Sequence, residues 1–300
     1  MATVTSPSAT SPHELQREQR SLWGDAWQRL ISSATGRIGL AISLLLVTLA
    51  VFMPIVSPYD PTRDRRLVDR LKPPNAQHIF GTDELGRDIF RRVLHGARIS
   101  ISVGFVAVVA AVLIGSLLGL IAGFMGGWID MLAIWLMDLL LAFPSTLLAI
   151  AIVSVLGTDL QNTMIAVSIV EIPIFGRIAR GAVLATRANE YVVAAQTVGA
   201  PPMRILFRHI LPNSVTPMLV QATLSIATAI ISAAALGFLG LGVQPPKPEW
   251  GTMLAAARDY VGQGKWWYAT FPGLAIMLTV LGFNLLGDGL RDALDPRLRR

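Results

Sequence analysis

From Ile99 to Ile129 the chain runs without one charged side chain, and from Ile210 to Pro246 it does so again for 37 residues. A helix needs about 20 apolar residues to cross the hydrocarbon core of a bilayer. Each run is therefore long enough to span a membrane, and in lipid the backbone groups of such a run must be paired within the helix itself. The rest of the composition agrees: 53% of the residues are hydrophobic, 15% are charged and the mean hydropathy is +0.57, too apolar for a soluble core of this size. A soluble enzyme is excluded. The formal net charge of +6 is assigned to lipid headgroups and topology rather than to nucleic acid, because the basic residues sit between the apolar runs.

Read in order, the sequence predicts an all-α, polytopic membrane protein with six transmembrane helices. Residues 1–37 form an N-terminal tail whose first part, Met1 to Ser21, is rich in Ser, Thr, Ala and Pro and reads as disordered. It is no signal peptide, since the first apolar run starts at Ile38 and others follow. Residues 38–56 are the first span. Residues 57–98 are polar, with Pro58, Pro61, Pro73 and Pro74, and end in an amphipathic stretch where Ile89, Phe90, Val93 and Leu94 alternate with arginines, predicting a helix on the membrane interface. Residues 99–287 form a five-helix core. Its spans are Ile99 to Phe124, Met131 to Leu156 with Asp138 and Pro144, Thr163 to Ile178 with Glu171 and Pro173, Val215 to Leu239, and Trp266 to Gly287. Gly115, Gly119 and Gly123 strip one face of the second span for close approach by a neighbouring helix. Trp266 and Trp267 are placed as interface anchors. Residues 288–300 are a charged tail.

One charge-bearing loop interrupts the second half: residues 190–213, EYVVAAQTVGAPPMRILFRHILPN. Asn189 can cap a short helix that Gly199 ends, glycine being the residue that tolerates the left-handed conformation there. Pro201 and Pro202 suit the first turn of a second helix running to about Leu211 before Pro212. Its exposed face is expected to mix Arg204, Arg208 and His209 with Ile205, Phe207 and Ile210, more apolar than water alone requires. That composition points to a docked partner.

The loop resembles the cytoplasmic loop of the permease subunits of ATP-binding-cassette importers, where Glu-Ala-Ala, three residues and Gly are followed by an apolar residue and Leu-Pro. Ala194, Ala195, Gly199, Ile210, Leu211 and Pro212 match; Val193 stands where the family has Glu. GTDELGRD, from Gly81 to Asp88, is similar to the branch of the family that carries dipeptides, oligopeptides and nickel. ALGFLGLG, PPKPEWG and FNLLGDGLRDALDP are most like its dipeptide-type second permease subunit.

This resemblance implies a type I importer permease fold in a prokaryotic inner membrane, multi-pass, with both termini and loop 190–213 cytoplasmic and residues 57–98 extracytoplasmic. Charge alone leaves the orientation open, with 13 Lys and Arg on one side and 12 on the other. It also implies the partners: a second permease subunit, two cytoplasmic ATPase subunits and an extracytoplasmic solute-binding protein. The residues implied in coupling to the ATPase are Ala194, Ala195, Gly199, Ala200, Arg204, Ile210, Leu211 and Pro212. The implied cargo is a dipeptide or short oligopeptide, with nickel or another small solute as the alternative.

The chain itself carries no catalytic motif. It has three lysines, and its one Gly-Lys pair, Gly264 and Lys265, is followed by Trp, so it has no phosphate-binding loop for ATP. Any ATP is bound by partner subunits, and no cofactor is expected in this chain. Zero cysteines exclude disulfides, thiolate metal sites and cysteine nucleophiles. His13, His78, His95 and His209 lack ligand spacing and read as surface residues. Asp138 and Glu171 are carboxylates within the apolar spans. A stand-alone transporter would want them facing each other across a cavity; the plainer alternative pairs them with Arg177 or a partner subunit.

Overall fold

The structure, a computed structural model, describes residues 22–56, 58–60 and 64–295. The Met1 to Ser21 stretch, His13 and the last five residues of the tail lie outside the described residues. The described residues form eleven α-helices and no strand beyond one isolated bridge between Thr82 and Asp88. In chain order these are α1 (Leu22–Ser32), α2 (Ala34–Val56), α3 (Ile89–Met125), α4 (Gly127–Leu141), α5 (Ser145–Leu156), α6 (Leu160–Arg187), α7 (Glu190–Thr197), α8 (Pro202–Ile205), α9 (Leu211–Phe238), α10 (Trp250–Val261) and α11 (Trp267–Leu294).

Four stretches are long and apolar enough to cross a membrane: Ala34–Met53, Ile89–Met125, Pro202–Phe238 and Trp267–Leu294. The expected third span is instead two helices, α4 and α5, bent by 91°. Pro144 explains the bend, since it has no N–H to continue α4 and biases Phe143 away from helical geometry. Counted as one, the pair makes a fifth span. The remaining segment, α6, has 28 residues and is about 42 Å long, but Glu171, Arg177, Arg180 and Arg187 lower its apolarity. By length and apolarity the described residues therefore carry four or five spans where the sequence predicts six.

Helix α3 is the frame on which the others are hung. Asp88 caps it by accepting from the Arg91 N–H at 3.1 Å. Its 37 residues make a rod of about 55 Å, well beyond a hydrocarbon core of about 30 Å. The stretch expected as a separate interfacial helix is simply the first turns of this rod, where Ile89, Val93 and Ala97 pack with Trp250, Met253, Trp267 and Tyr268. Farther along, its glycines meet α6. A Cβ on Gly115 would lie 2.4 Å from the Ile172 carbonyl, and one on Gly119 would lie 2.1 Å from that of Gly176. The two backbones touch, as the glycine spacing predicts.

Two features depart from the sequence reading after α9. Helix α11 continues to Leu294, so most of the expected tail is helical. The polar connection after α9 holds α10, whose Trp250, Met253 and Ala257 are buried. Glu249 nucleates it, accepting from Gly251 N and Thr252 N at 2.8 Å each. Its carboxyl also accepts from Ser100 Oγ of α3 at 3.3 Å. Burial pushes the Glu249 carboxyl above its usual range, against the pull of these donors.

The 64–92 segment closes one end of the bundle. Asp83 is fully buried and accepts from Leu85 N at 2.8 Å, Arg87 N at 2.8 Å and Arg87 Nε at 2.6 Å, and from Arg92 Nη1. Trp267, expected as an interface anchor, is buried here and donates from Nε1 to the Thr82 carbonyl at 3.3 Å; its neighbour Trp266 is exposed. His78 and His95 are half-buried rather than on the surface, the first 2.8 Å from Asp88 Oδ2, the second stacked on Tyr59.

Candidate functional site

The 190–213 loop lies at the opposite end of the bundle, between the end of α6 and the start of α9. Asn189 occupies the cap position of α7, but its backbone carbonyl rather than its side chain receives the Val192 and Val193 N–H groups. Gly199 ends the helix at φ +76°, the left-handed region that glycine adopts without strain. The N–H of Ala200 then reaches back to the Ala195 carbonyl at 3.0 Å, and that of Gly199 to Gln196 at 3.0 Å. No neighbouring atom lies within 4 Å of a Cβ placed on Gly199. Within this chain the position is thus restricted by backbone conformation and not by space.

The second half of the loop corrects the expectation of a helix stopped at Pro212. Helix α8 passes through a π-helical turn, Leu206–Ile210, into α9 without a break. A proline at 212 cannot donate to the Arg208 carbonyl and its ring would collide with it in a regular α-helix. The turn widens instead, the Leu211 N–H donating to the Leu206 carbonyl five residues back. Side chains serve the next carbonyls: Asn213 Nδ2 donates to His209 O at 2.7 Å and Ser214 Oγ to Ile210 O at 3.0 Å. Asn213 Nδ2 also reaches the Tyr191 hydroxyl at 3.2 Å, tying α9 to α7.

This geometry sorts the predicted residues. Ile210, expected on the exposed face, is 0% exposed and packs with Leu120, Ala179, Val183, Val192, Leu206 and Met218; Ile205 is buried in the same cluster. Both belong to the base that fastens the loop to α3, α6 and α9. Ala195, Ala200 and Leu211 are half-buried at the edge of that base. Ala194, Gly199, Arg204 and Pro212 are exposed. Beside them lie Tyr191, Val193, Val198, Met203 and Phe207, all exposed, with Val198 at 83% and Phe207 at 57%. Sequence reasoning identified Phe207 in this set and missed Val198, Met203 and Tyr191. The signal it lacked was the burial of Val192, Ile205 and Ile210, which fixes the opposite face outward. The loop has a buried apolar base, an exposed apolar face and arginines beside it.

The two carboxylates within the spans lie apart in role and surroundings. Asp138 on α4 is half-exposed and paired with Arg177 of α6. One helical turn or two away, Asp130 takes Arg180 with both oxygens, at 2.5 and 2.7 Å. Glu171 is buried; its Oε1 accepts from Thr228 Oγ1 of α9 at 3.2 Å, and its Oε2 has no hydrogen-bond partner among the described residues. Asp138 thus faces Arg177 while Glu171 faces α9.

Residues 115–300 match the family described as the inner membrane component of binding-protein-dependent transport systems, and residues 21–74 match the N-terminal transmembrane domain of oligopeptide transport permease C. A dipeptide transport system permease protein of Alkalihalophilus pseudofirmus is 50% identical over 298 residues, covering 99% of this chain and 97% of that one. A di/tripeptide transport system permease protein of Pseudomonas aeruginosa is 48% identical over 304 residues, with 99% and 97% coverage. Among solved structures, an inward-facing MetNI methionine ABC transporter chain superposes with a TM-score of 0.56 at 18% identity, covering 68% of this chain and 96% of that one. That likeness is one of fold, the permease fold of type I importers.

Proposed function

The chain belongs to the family of binding-protein-dependent transport system inner membrane components, and from that premise we propose that it forms half of the translocation path of an ATP-driven importer of dipeptides or short oligopeptides. It is a membrane permease subunit and not an enzyme; hydrolysis belongs to the partner ATPase. The cargo reading rests on the relatives, which are named for dipeptides and di/tripeptides and match this chain over nearly its whole length.

The observation that carries the coupling role is the exposed apolar face of loop 190–213 over its buried base. Covering one exposed Phe or Met side chain contributes about 1.5–3 kcal/mol, so a few such residues suffice for a firm but reversible dock. The loop would lie in the cytoplasm, as would both chain ends, with an ATPase subunit seated against Val198, Met203 and Phe207. Because the base is continuous with α6 and α9, a push on the loop is delivered to two helices of the core rather than absorbed in a flexible turn. A second permease subunit would supply the other half of the path, and an extracytoplasmic binding protein would deliver the peptide. A stand-alone transporter would need Asp138 and Glu171 in one cavity, and the two face different helices.

Gly199→Asp tests the coupling. At φ +76° any side chain is strained, and the turn between Val198 and Met203 would shift. The variant is expected to reach the membrane in normal amount while ATP-dependent peptide uptake falls at least about tenfold, equivalent to about 1.4 kcal/mol of coupling. Normal ATP-driven uptake by that variant would count heavily against the role given to Gly199.

A further inference from the structure

At the loop's end of the bundle a cavity of about 950 Å³ opens between α1, α6, α9 and the last turns of α11, within the range of about 300–1,000 Å³ usual for small-molecule sites. Its floor is α9. Asn213, Pro217, Gln221 and Leu224 line it at three- and four-residue steps, so they share one face of that helix, and Thr228 continues the same face above them. Gln221 is half-buried and its Nε2 donates to Ser225 Oγ at 3.3 Å, which leaves its carbonyl oxygen to the cavity. Thr228 is exposed and donates to Glu171.

The mouth carries charge of both signs. Asp25 and Arg29 of α1 line it together with Arg291 and Asp295 at the end of α11. Asp295 has a partner of its own, whereas Asp25, Arg29 and Arg291 form no ion pair among the described residues. Arg29 is half-buried and Arg291 exposed, so both guanidiniums are open to a group entering from solution. The remaining charged side chains of these two helices, Asp288 and Asp292, are exposed and outside the lining. A ligand that carries one ammonium and one carboxylate matches this rim. A zwitterionic lipid headgroup would match it too, but its acyl chains would then lie along Gln221 and Thr228, about 15 and 26 Å along α9 from Leu211. Polar side chains within a span turn to protein or water rather than to lipid.

We propose that this cavity is the chamber from which imported peptide leaves for the cytoplasm, with Arg29 and Arg291 taking the peptide's carboxylate, Asp25 its ammonium and Gln221 its backbone amide. The proposal rests on the importer reading, which puts this end of the bundle inside the cell. Val220, Leu224 and Ile178 offer the peptide's side chains an apolar wall with no further demand on their chemistry. Pro212 and Asn213 belong both to the chamber and to loop 190–213, so a displacement of the loop by the ATPase reshapes the chamber directly.

The test uses the complete transporter in lipid nanodiscs, where both faces are open to solution. The chain has no cysteine of its own, so Val220→Cys puts a single thiol on the cavity wall, and Thr216→Cys is a second position in case the first impairs assembly. A charged thiol reagent that cannot enter lipid is expected to label this chain while nucleotide is absent, and to do so more slowly once ATP and vanadate hold the inner end shut. Ala-Ala at roughly ten times its half-protecting concentration should slow labelling about tenfold. The same peptide with its amine acetylated and its carboxyl amidated should not. Arg29→Gln should raise the half-protecting concentration of Ala-Ala about tenfold.

Absence of labelling at both positions would mean that lipid or the second permease subunit fills the cavity, and would overturn the proposal while leaving the importer reading intact. Labelling that Ala-Ala and its capped form affect equally would do the same, since it would show water without recognition of the charged ends. Failure of the unaltered chain to assemble with any ATPase would instead overturn the importer reading itself.

Discussion

The two ends of the bundle are built on opposite principles. At the 64–92 end charges are drawn inside: Asp83 is fully buried with two guanidiniums and two backbone N–H groups upon it, and Trp267 and Tyr268 of α11 are bonded to the same segment. At the 190–213 end the charges stay out, and apolar side chains are left uncovered over a packed base. The first end consolidates the protein's own helices. On the proposed coupling, the second is complete only when another surface covers it. A buried ion network fixes a geometry because breaking it leaves charges unpaired, whereas an apolar face can be covered and uncovered at modest cost.

The largest expected effect breaks the first end. Asp83→Asn keeps an oxygen for the backbone donors but leaves Arg87 and Arg92 buried without their shared counter-charge. A loss of about 3–5 kcal/mol is expected, seen as a collapse in the yield of monodisperse protein and a much lower unfolding temperature in detergent. A variant of near-normal thermal stability would mean that these ions are solvated or paired elsewhere, and the contrast between the ends would fail.

A pair of substitutions then divides the second end into base and face. Ile210→Ala removes a fully buried side chain from the cluster with Leu120, Val183 and Met218 and is expected to lower stability by about 2–4 kcal/mol. Phe207→Ala removes an exposed one and should leave thermal unfolding within about 0.5 kcal/mol of the parent. It should weaken ATPase association by about 1.5–3 kcal/mol, roughly ten- to a hundredfold in the amount of ATPase subunit needed to saturate the permease. If instead Phe207→Ala destabilises the isolated chain and Ile210→Ala does not, base and face have been assigned the wrong way round.

How much of this was open to reading in the sequence depended on how local the cause was. The turn at Gly199 follows from one residue's conformational freedom, and the meeting of α3 with α6 follows from glycines spaced by four, so both were visible. The passage through Pro212 was not, because a proline reads as a stop unless Asn213 and Ser214 are seen to serve the carbonyls around it. Ile205 and Ile210, expected outside, lie within because the side chains that cover them, Leu120, Val183 and Met218, come from α3, α6 and α9. The arginines around Asp83 misled for a related reason: Arg87 and Arg92 look like the polar face of an interfacial helix, and only the fold shows them turned inward onto one carboxylate. Helix α10 hid in a polar stretch because its start depends on Glu249, whose burial against Ser100 is a contact across 149 residues of sequence.

The smallest effect sharpens the first end through pH. Glu84 faces Asp83, Arg87, Arg92 and Tyr268; burial first, and then the charge on Asp83, push its carboxyl above the ordinary value of 4.5, while the two arginines pull the other way. A carboxyl whose folded value is raised holds its proton in the folded protein at a pH where the unfolded chain has lost it. Its contribution to stability is therefore complete below 4.5 and is lost as pH rises through the raised value. Glu84→Gln cannot titrate, so between those limits the parent's stability should fall relative to the variant's as pH rises. The difference should stay below about 1 kcal/mol, because the side chain is partly exposed and solvent screens it. Unfolding temperatures of both proteins measured from pH 4 upward would show converging or diverging curves. Parallel curves would mean that Arg87 and Tyr268 already hold Glu84 ionised.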